Sequence, residues 1–219
     1  MPIARFPNLS RRRWSRLAWR VLTVAALAAL PFAVLVRGSV MLYASYRWPS
    51  WLALLLAGTA MLLVIAAYGA WLVRRLTGRM RLVLVTKWVA APLVVGFCGH
   101  ALLFLSRANV QDGPLQSEYH ATHPLLRIAL STVMLANGDL IVTDLSRVHA
   151  DYARMGLPAF DATLHYPQRD GWVHAVDLRT SGRNEIGNRL VELYFRLMGF
   201  RTLRHVGTAD HLHVELPVR

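Results

Sequence analysis

The chain has 219 residues, 55% of them hydrophobic, and its 25 lysines and arginines against 12 acidic residues give a net charge of +13. A basic nucleic-acid-binding domain would interleave its arginines with aromatic residues on a polar face, whereas here they flank long apolar runs, so nucleic acid is excluded as the expected partner. The single cysteine, Cys98, excludes intrachain disulfides and thiolate metal clusters.

The charge is divided unevenly along the chain. Residues 1–106 carry 13 lysines and arginines and no acid, whereas residues 107–219 carry 12 arginines, all 12 acids and eight of the nine histidines. This division predicts a membrane anchor over residues 1–106 and a charge-balanced domain after it. The expected fold class is an α-helical anchor of three spans followed by a small α+β domain with an antiparallel sheet.

Three apolar segments predict the spans, at residues 21–36, 51–73 and 88–105. The second is uncharged over 23 residues, more than the roughly 20 that cross a bilayer. The first is shorter and follows a basic stretch, which is also typical of a secretory signal peptide. Because no small-residue cleavage site follows it, an uncleaved span is the preferred interpretation.

The positions of the arginines predict the orientation. Six lie in the N-terminal tail and four in the loop between the second and third spans, but only Arg37 and Arg47 lie between the first and second. The positive-inside rule then places the tail and the second loop in the cytoplasm. We therefore expect a multi-pass protein of the inner (cytoplasmic) membrane, with the lipid bilayer as one partner and the C-terminal domain on the periplasmic, extracytoplasmic side.

Residues 107–123 are polar and contain Gly113 and Pro114, which predicts a linker before a domain at residues 124–219. Helical periodicity predicts helices at residues 124–136 and 184–198. The second helix gathers five apolar residues on one face: Ile186, Leu190, Leu193, Tyr194 and Leu197. Strands are predicted at residues 140–143, 172–178, 200–206 and 211–216.

The last predicted strand carries most of the chemistry. Alternation along HLHVEL places Leu212, Val214 and Leu216 on one face. The other face then presents His211, His213 and Glu215. Two imidazoles on one side of a strand are a common zinc-binding arrangement, although two surface histidines on an edge strand give the same pattern.

Two segments, GWVHAVDLRT (171–180) and TADHLHVEL (208–216), resemble the zinc peptidases that cut peptidoglycan stem peptides. That superfamily comprises D-Ala-D-Ala carboxypeptidases, D,D-dipeptidases and L-alanoyl-D-glutamate endopeptidases. The resemblance implies Zn²⁺ as cofactor and a peptidoglycan peptide as substrate. It implies Asp177 and His213 as zinc ligands, Asp210 as general base, and Arg147, which follows the strand in IVTDLSR, as the family's arginine.

The first histidine ligand departs from the family pattern. Its position, seven residues before Asp177, is occupied by Asp170, and the nearest preceding histidine is His165, as though five residues had been inserted. A loop absorbs such an insertion at small entropic cost, so His165 is the preferred ligand. His174 is the alternative, although on a strand it faces away from Asp177 unless a bulge intervenes.

These assignments imply a mechanism in which zinc activates water and Asp210 moves the proton, while Arg147 stabilises the oxyanion and His211 contacts substrate or intermediate. Two other functions remain open from the sequence. One is a non-catalytic domain of the same type that binds a peptide or a structural metal. The other is a membrane scaffold whose outer domain docks partners.

Overall fold

The computed structural model describes residues 9–147, 163–207 and 210–217, with side chains from residue 14 onward. Three long apolar helices at the N-terminus are followed by a small domain in which helices pack on a four-stranded antiparallel sheet. This confirms the expected fold class. Thr208 and Ala209, which belong to one of the segments that resemble the peptidases, lie outside the described residues.

The spans are helices long and apolar enough to cross a membrane, so the chain is a multi-pass membrane protein. They are α1 (Leu9–Ala44), α2 (Ser50–Thr77) and a third formed by α3 (Leu82–Val85), a π-turn (Thr86–Ala90) and α4 (Ala91–Leu103). Helix α1 is longer than the predicted segment because it begins at Leu9 and continues past Arg37 to Ala44, and its last turns pack against the domain.

The sheet has the order β1-β2-β4-β3 and is antiparallel throughout. Its strands are β1 (Val142–Asp144), β2 (Ala175–Arg179), β3 (Arg201–His205) and β4 (His211–Glu215). As the alternation predicts, Leu212 and Val214 are buried, and Asp177 pairs with His213 on the opposite face. Among the described residues, the helices of the domain pack on the first of these faces.

Those helices are α5 (Pro114–Glu118), α6 (Pro124–Ala136) and α7 (Glu185–Met198). Helix α6 packs against α1, α2 and α4, while α7 packs against α1 and β3. One buried core runs from the anchor into the domain, and it includes Leu35 and Val40 of α1 as well as Leu130 of α6 and Phe195 of α7. The domain is therefore packed onto the spans along their sides.

Residues 107–123 differ from the predicted linker. They form α5 and two 3₁₀ turns, and Tyr119 within them is buried. The Tyr119 hydroxyl donates to the carbonyl of Ala101 at the end of α4, and the Asn109 amide donates to two carbonyls beside β1. The polar side chains of residues 107–123 thus form hydrogen bonds with backbone carbonyls at the junction between anchor and domain. For this reason the polar composition of the segment does not make it a flexible tether.

Candidate metal centre

Three side chains converge on the other face of the sheet: His165, Asp177 and His213. Asp177 Oδ1 lies 2.8 Å from His213 Nδ1 and 3.4 Å from His165 Nε2, and the two nitrogens are 3.3 Å apart. Ligands at about 2.0–2.1 Å from a tetrahedral zinc ion are separated by roughly 3.3 Å. The three atoms therefore have the spacing of three corners of such a site.

The backbone fixes which nitrogen of His165 faces the cluster. Its Nδ1 lies 2.7 Å from the carbonyl oxygen of Leu145, which can only accept, so Nδ1 carries the proton. In the neutral ring, Nε2 then presents a lone pair toward a carboxylate oxygen and another imidazole nitrogen. His213 Nδ1, 2.8 Å from Asp177 Oδ1, donates to this oxygen in one neutral tautomer and presents a lone pair in the other. In the second tautomer the three atoms form a donor set of the kind that zinc binds.

Backbone contacts bring His165 to the sheet despite its distance from Asp177 along the chain. The Arg147 amide donates to the His165 carbonyl at 3.0 Å, and the His174 amide donates to the Leu164 carbonyl at 2.9 Å. These bonds hold the segment around His165 between the end of β1 and the start of β2. They place His165 beside Asp177 although the two residues are 12 positions apart along the chain.

Asp177 is buried and faces several positive or proton-donating groups. Its second oxygen, Oδ2, accepts from Arg147 Nη2 at 3.0 Å, while Arg147 Nε bonds Asp144. Burial raises the pKa of Asp177, but the contacts with the His165 and His213 rings outweigh burial and hold the pKa well below its usual range. Asp177 is therefore ionised at neutral pH, with Oδ1 left to face the two imidazoles.

The neighbours of His213 suit a ligand imidazole. Its Nε2 faces the carboxylate of Glu215 at 3.7 Å, which orients the ring from behind. Burial lowers the pKa of His213, but the contact with Asp177 outweighs burial and raises the pKa above its usual value. His211 lies on the same face, partly exposed, with its Nε2 3.7 Å from Asp177 Oδ2 and its ring stacked on His205.

Asp210, the base implied by the resemblance, points elsewhere. Its carboxylate accepts from both Arg204 Nε (2.8 Å) and Nη2 (3.0 Å), and from the Thr180 hydroxyl at 2.8 Å. Arg204 pairs with Leu212 in the sheet, so this contact is on the helix-covered face. The hydrogen bonds from Arg204 and Thr180 lower the pKa of Asp210. The structure does not bring Asp210 to the three-residue cluster.

His174, the alternative first ligand, belongs to a second cluster at the junction with the anchor. Its Nε2 lies 2.9 Å from Asp170 Oδ2, and Asp170 also accepts from the Tyr43 hydroxyl of α1 at 3.4 Å. The third member, His123, accepts from the Leu125 amide through Nδ1 at 3.2 Å, so its neutral ring carries the proton on Nε2. That nitrogen has no lone pair for a metal, and this cluster is interpreted as a hydrogen-bonded junction.

Several groups at the candidate site could not be predicted from the sequence. The Leu145 carbonyl is one of them, because every residue has the same backbone oxygen and its side chain does not indicate what that oxygen contacts. Asp144 sits three residues before Arg147, a spacing that signals an ion pair only once the turn after β1 is known. Glu215 is recognisable from alternation as sharing the face of His213, which was the available signal for its contact.

No protein-family model, curated protein or solved structure matches this chain. The chemistry of the site is therefore argued from its own residues. Two imidazoles and one carboxylate, with an arginine and a further histidine beside them, can hold a divalent cation and leave a ligand position open for a substrate or water.

Proposed function

We propose that this protein is a membrane-anchored zinc peptidase that hydrolyses amide bonds of peptidoglycan stem peptides on the outer side of the cytoplasmic membrane. The observation that carries the proposal is the convergence of His165 Nε2, Asp177 Oδ1 and His213 Nδ1, with the His165 tautomer set by a backbone carbonyl. The arginine distribution supports the orientation, and the resemblance of residues 171–180 and 208–216 supports the substrate class.

In this proposal His165, Asp177 and His213 hold the zinc ion. When bound, the ion supplies a Lewis acid that polarises the scissile carbonyl and activates water. Arg147 fixes Asp177 through Oδ2, so that Oδ1 alone faces the cation. The Arg147 guanidinium also brings a fixed positive charge beside the cluster, which is suited to stabilising developing negative charge on the carbonyl oxygen.

His211 is the base we favour over Asp210. It lies on the same face of β4 as His213, is partly exposed, and carries a ring nitrogen near Asp177. An imidazole there can accept a proton from the attacking water and return it to the leaving amine. Asp210 is bound by Arg204 instead, and its lowered pKa makes it a weaker proton acceptor.

The position of Asp210 also favours a second candidate function, a domain of this type that binds metal without hydrolysis. A peptidase that had lost its carboxylate base would retain the two imidazoles and Asp177 but not the catalytic step. The two candidates share the metal and differ only in turnover.

The test uses the full chain in lipid nanodiscs, loaded with zinc, on a panel of stem peptides that together contain each type of amide bond. We expect release of new amino groups, lowered at least about 100-fold by His213→Ala. The matched control is His205→Ala, on the same face and stacked on His211, which is expected to stay within about threefold. Bound zinc without cleavage of any bond favours the non-catalytic candidate, and absence of bound zinc rejects both.

A further inference from the structure

Helix α7 has three distinct faces. Val191 and Phe195 are buried beneath the sheet, while ion pairs between residues four apart, Glu192–Arg196 among them, line a polar face. The third face is an apolar stripe that is 50–73% exposed: Ile186, Leu190, Leu193 and Leu197. We call these four residues the α7 stripe. A contiguous exposed apolar stripe marks a contact surface.

The neighbours of this stripe come from the membrane anchor. Between α1, α6 and α7 lies a groove of about 490 Å³ whose lining includes Ala29 and Phe32 of α1, Leu135 of α6 and Leu190 of the α7 stripe. Gly199, which ends α7 with φ +99°, lies against Arg37 and Val40 of α1, where an added Cβ would meet Val40 at 3.0 Å. The stripe is thus continuous with the side of a membrane span.

The two ends of α6 show how far the domain extends along that span. The His123 ring, at the start of α6, is 4.9 Å from the Tyr43 ring near the end of α1. Leu135, near the end of α6, lines the groove together with Ala29 of α1. From Ala29 to Tyr43 the helix rises about 21 Å. The domain helices therefore lie beside this part of α1.

The length of α2 indicates where the bilayer lies. Its apolar run ends at Arg74, and about 20 residues cross the hydrocarbon, which puts the opposite edge near Leu54, at the start of α2. Helix α1 joins α2 at that end, since the Trp48 amide donates to the Leu42 carbonyl. Ala29 is 13 residues back along α1 from Leu42, about 20 Å, so the groove lies at the depth of lipid chains.

We propose that the α7 stripe and the groove contact the acyl chains of the bilayer, so that the domain is partly embedded in the membrane. An amphipathic helix with an apolar face and a charged face is the usual element at such an interface. The other occupants of an apolar stripe, a second copy of the chain or another protein, are outcomes of the test below. The inference is independent of the proposed catalysis.

The test places a fluorescent probe on single cysteines in the full chain, after Cys98→Ser removes the only native cysteine. Leu193→Cys and Leu135→Cys report on the stripe and the groove, and Arg189→Cys, on the polar face of α7, is the matched control. Each labelled variant is reconstituted in vesicles with spin-labelled lipids as chain-region quenchers, or with iodide as a water-soluble quencher.

We expect lipid quenching at residues 193 and 135 at least about threefold stronger than at residue 189, and the reverse order for iodide. Equal iodide access at residues 193 and 189 would overturn the proposal, because the stripe would then face water. Protection of residue 193 from both quenchers would also overturn it, because a protein surface would then cover the stripe.

Discussion

Asp177→Asn is the substitution that tests the metal centre most directly. It removes the negative charge of a buried group that contacts His165, His213 and Arg147, while keeping nearly the same shape. Arg147 keeps its second partner, Asp144, so its guanidinium is not left buried and unpaired. The variant is therefore expected to fold, and its main defect is expected to be a lower affinity for the metal.

The size of the expected loss in zinc affinity depends on whether the substituted residue is a ligand or only orients one. Removing a residue that merely orients a ligand costs about 10–100-fold in metal affinity. Asp177 supplies one of the three converging atoms themselves, so the loss in zinc affinity is expected to exceed about 100-fold, or about 2.7 kcal/mol. Competition between the purified chain and a chromophoric chelator measures this affinity, and elemental analysis gives the stoichiometry.

Asp144→Asn is the matched control, since Asp144 also binds Arg147 but contributes no atom to the cluster. Its effect on zinc affinity is expected to stay within about tenfold, the lower end of the range for an indirect contact. A similar loss in both variants would show that Arg147, rather than a metal, organises the cluster. Wild-type affinity in Asp177→Asn would refute the site itself.

Three further predictions concern the base, an ion pair and the core. His211→Ala is expected to lower kcat about 10²–10⁴-fold at unchanged zinc content, whereas the kcat of Asp210→Ala is expected to stay within about tenfold of wild type. Initial rates on a stem peptide measure both. A larger loss of kcat in Asp210→Ala than in His211→Ala would identify Asp210 as the base. Arg204→Gln is expected to raise the lowered pKa of Asp210 toward about 3.9, followed by NMR titration. A lowered pKa of Asp210 stabilises the fold fully above the unfolded-state pKa, and this stabilisation is lost as pH falls from there through the folded-state pKa. The stability difference between this variant and the wild type should therefore narrow as pH falls below about 4. Phe195 is fully buried, so Phe195→Ala is expected to lower the free energy of unfolding by about 3–5 kcal/mol. Leu203 is exposed, so Leu203→Ala is expected to lower it by less than about 0.5 kcal/mol. Comparable losses for the two variants in denaturant titrations would contradict this packing.

The spans and most domain elements could be predicted because their signals are local. Hydropathy alone fixes a 23-residue uncharged run as a span, and α6 was expected at residues 124–136, where the structure has it. The four strands lie within about two residues of the expected ones at each end, except at the start of β2. There Val173 and His174 pair with the segments before α6 and around Leu164 instead, which are non-local contacts that periodicity does not reveal.

Periodicity also left the environment of α7 undetermined. The pattern groups Ile186, Leu190 and Leu193 on one face, and in the structure that face is exposed while Val191 and Phe195 fill the core. A sequence pattern reports where apolar side chains point relative to one another. It does not separate a protein core from lipid, because both accept the same residues.

The candidate site was predictable where strand alternation governs it. The two-residue period of β4 places His213 on the site face, and the same period argues that His174 faces away from Asp177. Asp177 itself was implied by the resemblance, and the register of β2 with β4 places it opposite His213. Asp210 follows from motif position alone, and motif position does not say which face a residue at the very start of a strand will use. The ion pair with Arg204 decides that, and Arg204 is six residues away on another strand.

The shared core leads to a prediction about the isolated domain. The charge distribution predicts that residues 107–219 form a separate domain. In the structure, however, α6 packs against the spans, and Arg127 and Tyr119 donate hydrogen bonds to carbonyls at the end of α4. Without the anchor, apolar side chains such as Leu126 and Leu130 lose part of their cover. A fragment of residues 107–219 is therefore expected to aggregate or bind hydrophobic dye in buffer, and detergent is expected to reduce both. Size-exclusion chromatography of the fragment with and without detergent, beside the full chain in nanodiscs, measures this. A soluble monomeric fragment with the zinc affinity of the full chain would show that the anchor only tethers the domain.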